Sequence, residues 1–264
     1  MANKANPEAE RVRSASSEEI PALLSHPNEE VLAALLENPR LDETHLLLLL
    51  KRKDLPATLL ETIAKRKEWR GSYRIKRHIA FHPHAPRLMA MRLARGLYLM
   101  DLVQLSLLPS VPVELRRLAE ELILARLPQL PLGQKLALAR RGSARVAGGL
   151  LAEGHEQVVH VALDNAFLTE AQVLRVLSRG KLPAPVVAAI ARHRKWAQLY
   201  NVRLALVRHP AAPLARVLAF LPDLTLRDLD VLGESAAISA SLRRYIQHEI
   251  ARRSAAGGSR RRAG

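Results

Sequence analysis

The chain has no cysteine among its 264 residues. That absence excludes disulfides, thiolate zinc sites, cysteine-ligated iron–sulfur clusters and a cysteine nucleophile together. Aromatic residues are scarce as well, at 3%, and strands are normally rich in aromatic and β-branched side chains, so the composition argues against sheet. Long apolar runs are missing. Near the start the longest spans residues 46–50, and residues 1–19 are polar and charged with no apolar stretch fit for a secretory signal. A membrane span needs about 20 apolar residues, so the chain is expected to have no integral membrane association and to stay in the cytoplasm. There is also no Ser-His-Asp order, no Gly-rich phosphate loop and no His-Glu-x-x-His motif, which leaves the common catalytic signatures unfilled.

What is present is repetition. Shifted by 127 residues against itself without a gap, the chain matches residues 23–126 to residues 150–253 at 32 of 104 positions. The pairs include Trp69 with Trp196, Tyr73 with Tyr200, His82-Pro83 with His209-Pro210, Ala85-Pro86 with Ala212-Pro213, and Leu115-Arg116-Arg117 with Leu242-Arg243-Arg244. An asymmetric catalytic site seldom survives as two copies, whereas stacked helical scaffolds are built by repetition.

Within each copy, apolar residues recur at i, i+3, i+4 and i+7 in short stretches opened by Pro, Asp, Asn, Ser or Thr, the residues that start helices. Such stretches cover 28–37, 42–53, 56–67, 72–81, 86–95 and 113–127, and a further helix is read over 130–145. Helix starts fall about 14 residues apart, giving a pair every 28 or so, shorter than tetratricopeptide or HEAT repeats. Prolines 56, 83, 86, 109, 112, 128 and 131 fall between stretches, where the missing N–H is harmless. The predicted fold is all-α: a right-handed α-α superhelix, or α-solenoid, of about sixteen short helices in two homologous halves. Its expected divisions are a disordered segment 1–16, half one at 17–127, half two at 128–253 continuing the same solenoid, and a disordered basic tail at 254–264.

The turns Asn38-Pro39-Arg40-Leu41, His82-Pro83 and His209-Pro210 between Leu-rich helices resemble those of bacterial HEAT-like and variant leucine-rich-repeat α-solenoids. The likeness covers about residues 18–253 and rests on turn and leucine spacing. Some variant leucine-rich-repeat proteins place a cysteine cluster before their repeats; with no cysteine here, no metal cluster is implied.

The formal charge is +16 and unevenly spread: residues 1–127 hold 20 Lys+Arg against 16 Asp+Glu, and residues 128–264 hold 21 against 9. A field of that sign attracts polyanions. It concentrates around the aromatic pairs. Lys65, Arg66, Lys67, Trp69, Arg70, Tyr73, Arg74, Lys76 and Arg77 form one basic-aromatic segment, and Arg192, Arg194, Lys195, Trp196, Tyr200 and Arg203 form its partner. Basic groups beside aromatics suit phosphates with stacked bases, yet rings that recur with the repeat are also natural wedges between helices.

Other candidates are weaker. His78, His82 and His84 have a metal-like spacing, but copy two keeps only His209 opposite His82, with Ala205 and Ala211 at the other places. A turn role beside proline, repeated at His26-Pro27, fits better than ligation. Asp101 with Asp228, Glu29 with Glu156 and Glu43 with Glu170 recur near helix starts, where carboxylates cap N–H groups and complement the dipole. Gly142, Gly148 and Gly149 are too loosely placed to cradle a phosphate.

Three functional expectations follow. The first is a non-catalytic scaffold or adaptor for a protein partner, with no cofactor, metal or catalytic residue. The second is a polyanion-binding, nucleic-acid-associated solenoid using the two basic-aromatic segments. The third is a HEAT-like DNA glycosylase pairing Trp69 or Trp196 with Asp101 or Asp228, which the duplication disfavours because a duplex entering one groove needs one such constellation.

Overall fold

The computed structural model describes residues 7–236 and 238–262, the last seven by backbone alone. Among the described residues there is no strand, and eighteen α-helices rather than about sixteen. They are α1 Pro7–Arg13, α2 Ile20–Leu23, α3 Glu29–Leu35, α4 Glu43–Leu49, α5 Ala57–Lys65, α6 Tyr73–Phe81, α7 Arg87–Ala94, α8 Leu99–Leu107, α9 Val113–Arg126, α10 Leu132–Arg141, α11 Ala144–Glu153, α12 Glu156–Leu163, α13 Glu170–Leu177, α14 Ala184–Arg192, α15 Tyr200–Arg208, α16 Leu214–Phe220, α17 Leu226–Glu234 and α18 Ala240–Arg262. No helix is long and apolar enough to cross a membrane among the described residues.

The helices begin where the sequence supplies an acceptor or a proline. Asn28, Asp42, Ser72, Ser143, Thr169 and Thr225 each accept a hydrogen bond from a backbone N–H in the first turn of the helix that follows, satisfying a donor that the helix itself leaves unpaired. Pro56, Pro86, Pro131, Pro183 and Pro213 stand at the same position before α5, α7, α10, α14 and α16. Gly154 closes α11 at φ 83°, a left-handed conformation that a side chain resists.

The chain divides into two compact units, Met1–Ala125 and Arg126–Gly264. In each, helices touch not only the next helix but the next but one: α1 meets α3, α3 meets α5 and α4 meets α6, while α10 meets α12, α11 meets α13, α12 meets α14 and α13 meets α15. That is how stacked helix pairs pack. The core of unit 1 is leucine-rich, with Leu35, Leu36, Leu46, Leu55 and Leu60 fully buried. In unit 2, Gly148 lies within α11 with the buried Gln172 of α13 against it, so this glycine serves helix packing.

Both ends depart from the expectation of disorder. Residues 7–16 form α1 and a turn; Val12 is 2% exposed and its carbonyl, like that of Ala15, accepts a hydrogen bond from Asn38. One well-placed apolar residue and a buried amide suffice to hold a short polar helix. Residues 254–262 continue α18; extending an existing helix costs far less than nucleating one. Residues 1–6, 263 and 264 lie outside the described residues.

The two units share side-chain geometry at the 127-residue spacing. Asn38 Nδ2 donates to the Val12 and Ala15 carbonyls at 2.9 and 3.0 Å, and Asn165 Nδ2 donates to the Ala139 and Gly142 carbonyls at 2.7 and 3.1 Å. Each amide oxygen accepts from the backbone N–H two residues on, Arg40 and Phe167. One side chain thus satisfies the end of an earlier helix and the start of its own turn, which a buried polar group must do to avoid a net cost.

Candidate functional site

The aromatic members of the basic-aromatic segments are built into helix packing. Trp196 is 1% exposed and its Nε1–H donates to the Leu163 carbonyl at 2.8 Å. Trp69 is 9% exposed. The Tyr73 hydroxyl donates to Asp101 and accepts from the Tyr98 N–H at 2.9 Å, while the ring stacks on Tyr98 at 4.0 Å between centroids. Burial first, and then the bond to Asp101, push the Tyr73 phenol up to about 12. Tyr200 repeats this: its hydroxyl donates to Asp228 and accepts from the Thr225 N–H at 3.1 Å. The bonds from Tyr200 and then Thr225 hold the Asp228 carboxyl below the usual range.

The cations separate into three groups. Arg77 bonds Asp101 at 2.6 Å and Gln104 at 2.7 Å, Arg203 bonds Asp223 at 2.7 Å and the Ala197 carbonyl at 2.7 Å, Lys65 reaches Glu61 at 3.0 Å, and Arg74 stands 4.0 Å from Glu43. Arg66 lies over the Trp69 ring at 5.4 Å and Lys195 over Trp196 at 4.1 Å. Lys67, Arg70, Lys76, Arg192 and Arg194 form no ion pair with an acid among the described residues.

Two hollows gather some of these residues, one in each unit. In unit 1, Lys65, Arg70 and Lys76 surround a cavity of about 470 Å³ together with Arg92, over a floor that includes Ile63, Trp69 and Ile79. In unit 2, Arg192 and Arg194 line a cavity of similar volume beside His160, His193, Glu156 and Asp164. The first contains no acid; the second mixes both signs. They draw largely on different positions of the corresponding helices α5 and α14, so they are not equivalents. Sequence reasoning misses Arg92 because its counterpart is Ala219, and repetition gives no signal where the copies differ.

The recurrent carboxylates tie successive pairs. Glu29 accepts from the Thr58 hydroxyl, Glu43 from Ser72 at 3.1 Å and Glu170 from Asn201 at 3.0 Å. All three stand in the first turn of a helix, where the dipole also favours them.

The histidines complete turns. Nδ1 of His82 accepts from the His84 N–H at 3.2 Å and its Nε2 faces the Arg52 carbonyl at 2.6 Å. Nδ1 of His209 likewise accepts from Ala211 at 3.2 Å, and Nδ1 of His26 from Asn28 at 3.1 Å. An Nδ1 that accepts carries no proton, so the His82 ring is neutral with its hydrogen on Nε2. Burial is the main cause lowering both His82 and His209 below the ordinary value near 6.5; His84 adds to the effect at His82, while Asp54 and the Arg52 carbonyl oppose it. Among the described residues, no group of three or more His, Asp and Glu side chains could hold a metal.

A pH dependence follows. The unfolded chain takes up protons at these histidines near pH 6.5 while the folded chain resists, so their contribution to stability is complete above that value and declines as pH falls below it. The urea midpoint at pH 5.5 is expected below that at pH 7.5. Replacing both histidines by asparagine, whose side-chain oxygen accepts the same N–H, should flatten the loss; an unchanged pH slope in that double variant would show that other groups carry it.

Compared with protein-family models, curated proteins and solved structures, the chain matches none.

Proposed function

We propose that the protein is a non-catalytic cytoplasmic helical-repeat scaffold that binds a protein partner. The observation that carries this reading is the use of the recurrent reactive side chains: Tyr73, Asp101 and Glu43 with their counterparts Tyr200, Asp228 and Glu170, and His82 in unit 1, bond to each other, to neighbouring side chains or to backbone, joining one helix pair to the next. In support, large apolar side chains stand on the surface of both units, among them Leu88 at 82% and Tyr98 at 66% exposure in unit 1 and Phe167 at 49% in unit 2. Aromatic anchors with arginines near them are what protein interfaces use.

The test is affinity capture on the tagged full chain with and without nuclease. Proteins retained equally in both are expected, and their complete loss after nuclease overturns the scaffold reading.

A polyanion-binding reading is favoured by one observation, that Lys67, Arg70, Lys76, Arg192 and Arg194 have neither an acidic partner nor a ring beneath them among the described residues. It requires log affinity to fall against log salt with a slope of about −0.9 per phosphate neutralised on duplex, or about −0.7 on single strands. Failure to retain either form of DNA or RNA at low salt removes it.

A further inference from the structure

The copies diverge at one place that shows what its counterpart can hold. In unit 2 the space between α14, α15 and α16 contains the Phe220 ring, 5% exposed. Two guanidinium groups attend that ring, Arg203 at 5.8 Å and Arg216 at 5.5 Å from its centroid, and Arg216 crosses to the Ala191 carbonyl with bonds of 3.0 and 2.8 Å. The corresponding positions of unit 1 hold Leu93, Lys76, Met89 and Ala64. With neither the phenylalanine nor the spanning arginine, this region of unit 1 is an open hollow of about 470 Å³ between α5, α6 and α7, with Trp69 in its floor.

From this we infer that the unit 1 hollow is a docking pocket for an aromatic side chain flanked by acidic residues on a protein partner. The inference rests on the scaffold reading and names the chemistry of its partner. Phenylalanine is the occupant that the chain itself uses at the equivalent place. Beside the Trp69 ring, the apolar lining is aliphatic, with the partly buried Ala64 and Leu93 standing over buried Ile63, Ile75 and Ile79, so it gives an incoming ring an apolar seat and offers nothing to the polar edge of a nucleobase, which would be desolvated without compensation. Around the rim, Arg70, Lys76 and Arg92 have no acidic partner among the described residues and the lining contains no carboxylate. Flanking glutamates or aspartates would supply the missing charge. The size falls within the range of pockets that bury a small ligand or an anchor side chain.

The test titrates a fluorescein-labelled peptide, one phenylalanine between two pairs of glutamates, onto the full chain and reads anisotropy. Saturable binding is expected, weakened at least tenfold when alanine replaces the peptide's phenylalanine. Met89→Arg with Leu93→Phe imports the unit 2 plug and should abolish binding while circular dichroism stays unchanged. Arg92→Glu, an exposed position, should weaken binding at least tenfold even if the plug variant fails to fold. Opening the other unit with Arg216→Met and Phe220→Leu should raise the stoichiometry from one peptide to two. Binding indifferent to both the plug and Arg92→Glu overturns the inference, as does a single-stranded oligonucleotide that competes for the peptide and is itself lost with the plug. If the peptide does not bind but nuclease-resistant partners are still captured, the pocket falls and the scaffold reading stands. If captured proteins vanish with nuclease, the scaffold reading falls.

Discussion

Asn165→Asp is expected to unfold the second unit at neutral pH. The substitution changes volume hardly at all, so packing cannot account for its effect. Nδ2, which donates to the Ala139 and Gly142 carbonyls, becomes an oxygen facing two oxygens at a site 3% exposed. Two hydrogen bonds are lost, both carbonyls lose a partner and a charge is buried without one, together worth at least about 4 kcal/mol. Burial raises the pKa of such a carboxyl. Relative to the parent, the penalty should therefore be smallest near pH 4, the ordinary carboxyl value, and grow as pH rises until the folded-state group ionises. Urea denaturation of the variant and parent at pH 5 and pH 8 reads this directly, and equal differences at the two values would contradict it. Asn38→Asp should cost less, because the Arg40 guanidinium already donates to the Ser14 and Ala15 carbonyls at 3.0 and 3.3 Å beside the site, whereas Phe167 at the equivalent place supplies no charge.

Trp196→Ala is expected to be the second most damaging change. Removing a fully buried indole costs about 3–5 kcal/mol in transfer and cavity energy, and the Nε1–H bond to Leu163 adds about 1 kcal/mol. Unit 2 should melt about 10–20 °C lower, at the usual few degrees per kcal/mol for a domain of this size. Trp69→Ala should cost less, since Trp69 borders the open hollow and so has fewer neighbours to lose. Thermal melts followed by circular dichroism distinguish the two. Equal shifts would mean that the hollow does not relieve the loss at Trp69.

Most helix starts are legible in the sequence: Asn28, Asp42, Ser72, Pro56 and Pro86 all stand immediately before a helix, because capping chemistry is local, whereas the single helix read over 130–145 is two, α10 ending at Arg141 and α11 opening after the Ser143 cap. Helix ends are not legible. The apolar stretch over 42–53 stops being helical at Leu49, since apolar residues run on into the turn and Leu50 and Leu55 remain in the core. The N-terminal segment misleads for the opposite reason, that composition does not reveal a distant donor such as the Asn38 amide, which bonds the Val12 and Ala15 carbonyls. Of the site, repetition points to the tyrosine, tryptophan and histidine positions, and the structure gives them partners that spacing alone does not name. Asn38 marks a turn in the sequence; that it also bonds a preceding helix, as Asn165 does, shows only in three dimensions. The unit 1 hollow is invisible to repetition, since it arises where Leu93 and Phe220 differ.

The next-but-one packing bears on how the chain acquires its structure. The side-chain links that join pairs span modest sequence distances: His82 reaches back to Arg52, Asn165 to Ala139 and Arg253 to Leu224. Closing loops of about 30 residues carries a small and nearly constant entropy penalty, and low contact order makes for fast folding. Each helix pair can therefore settle as soon as the following pair has left the ribosome, and synthesis proceeds with only the newest segment exposed.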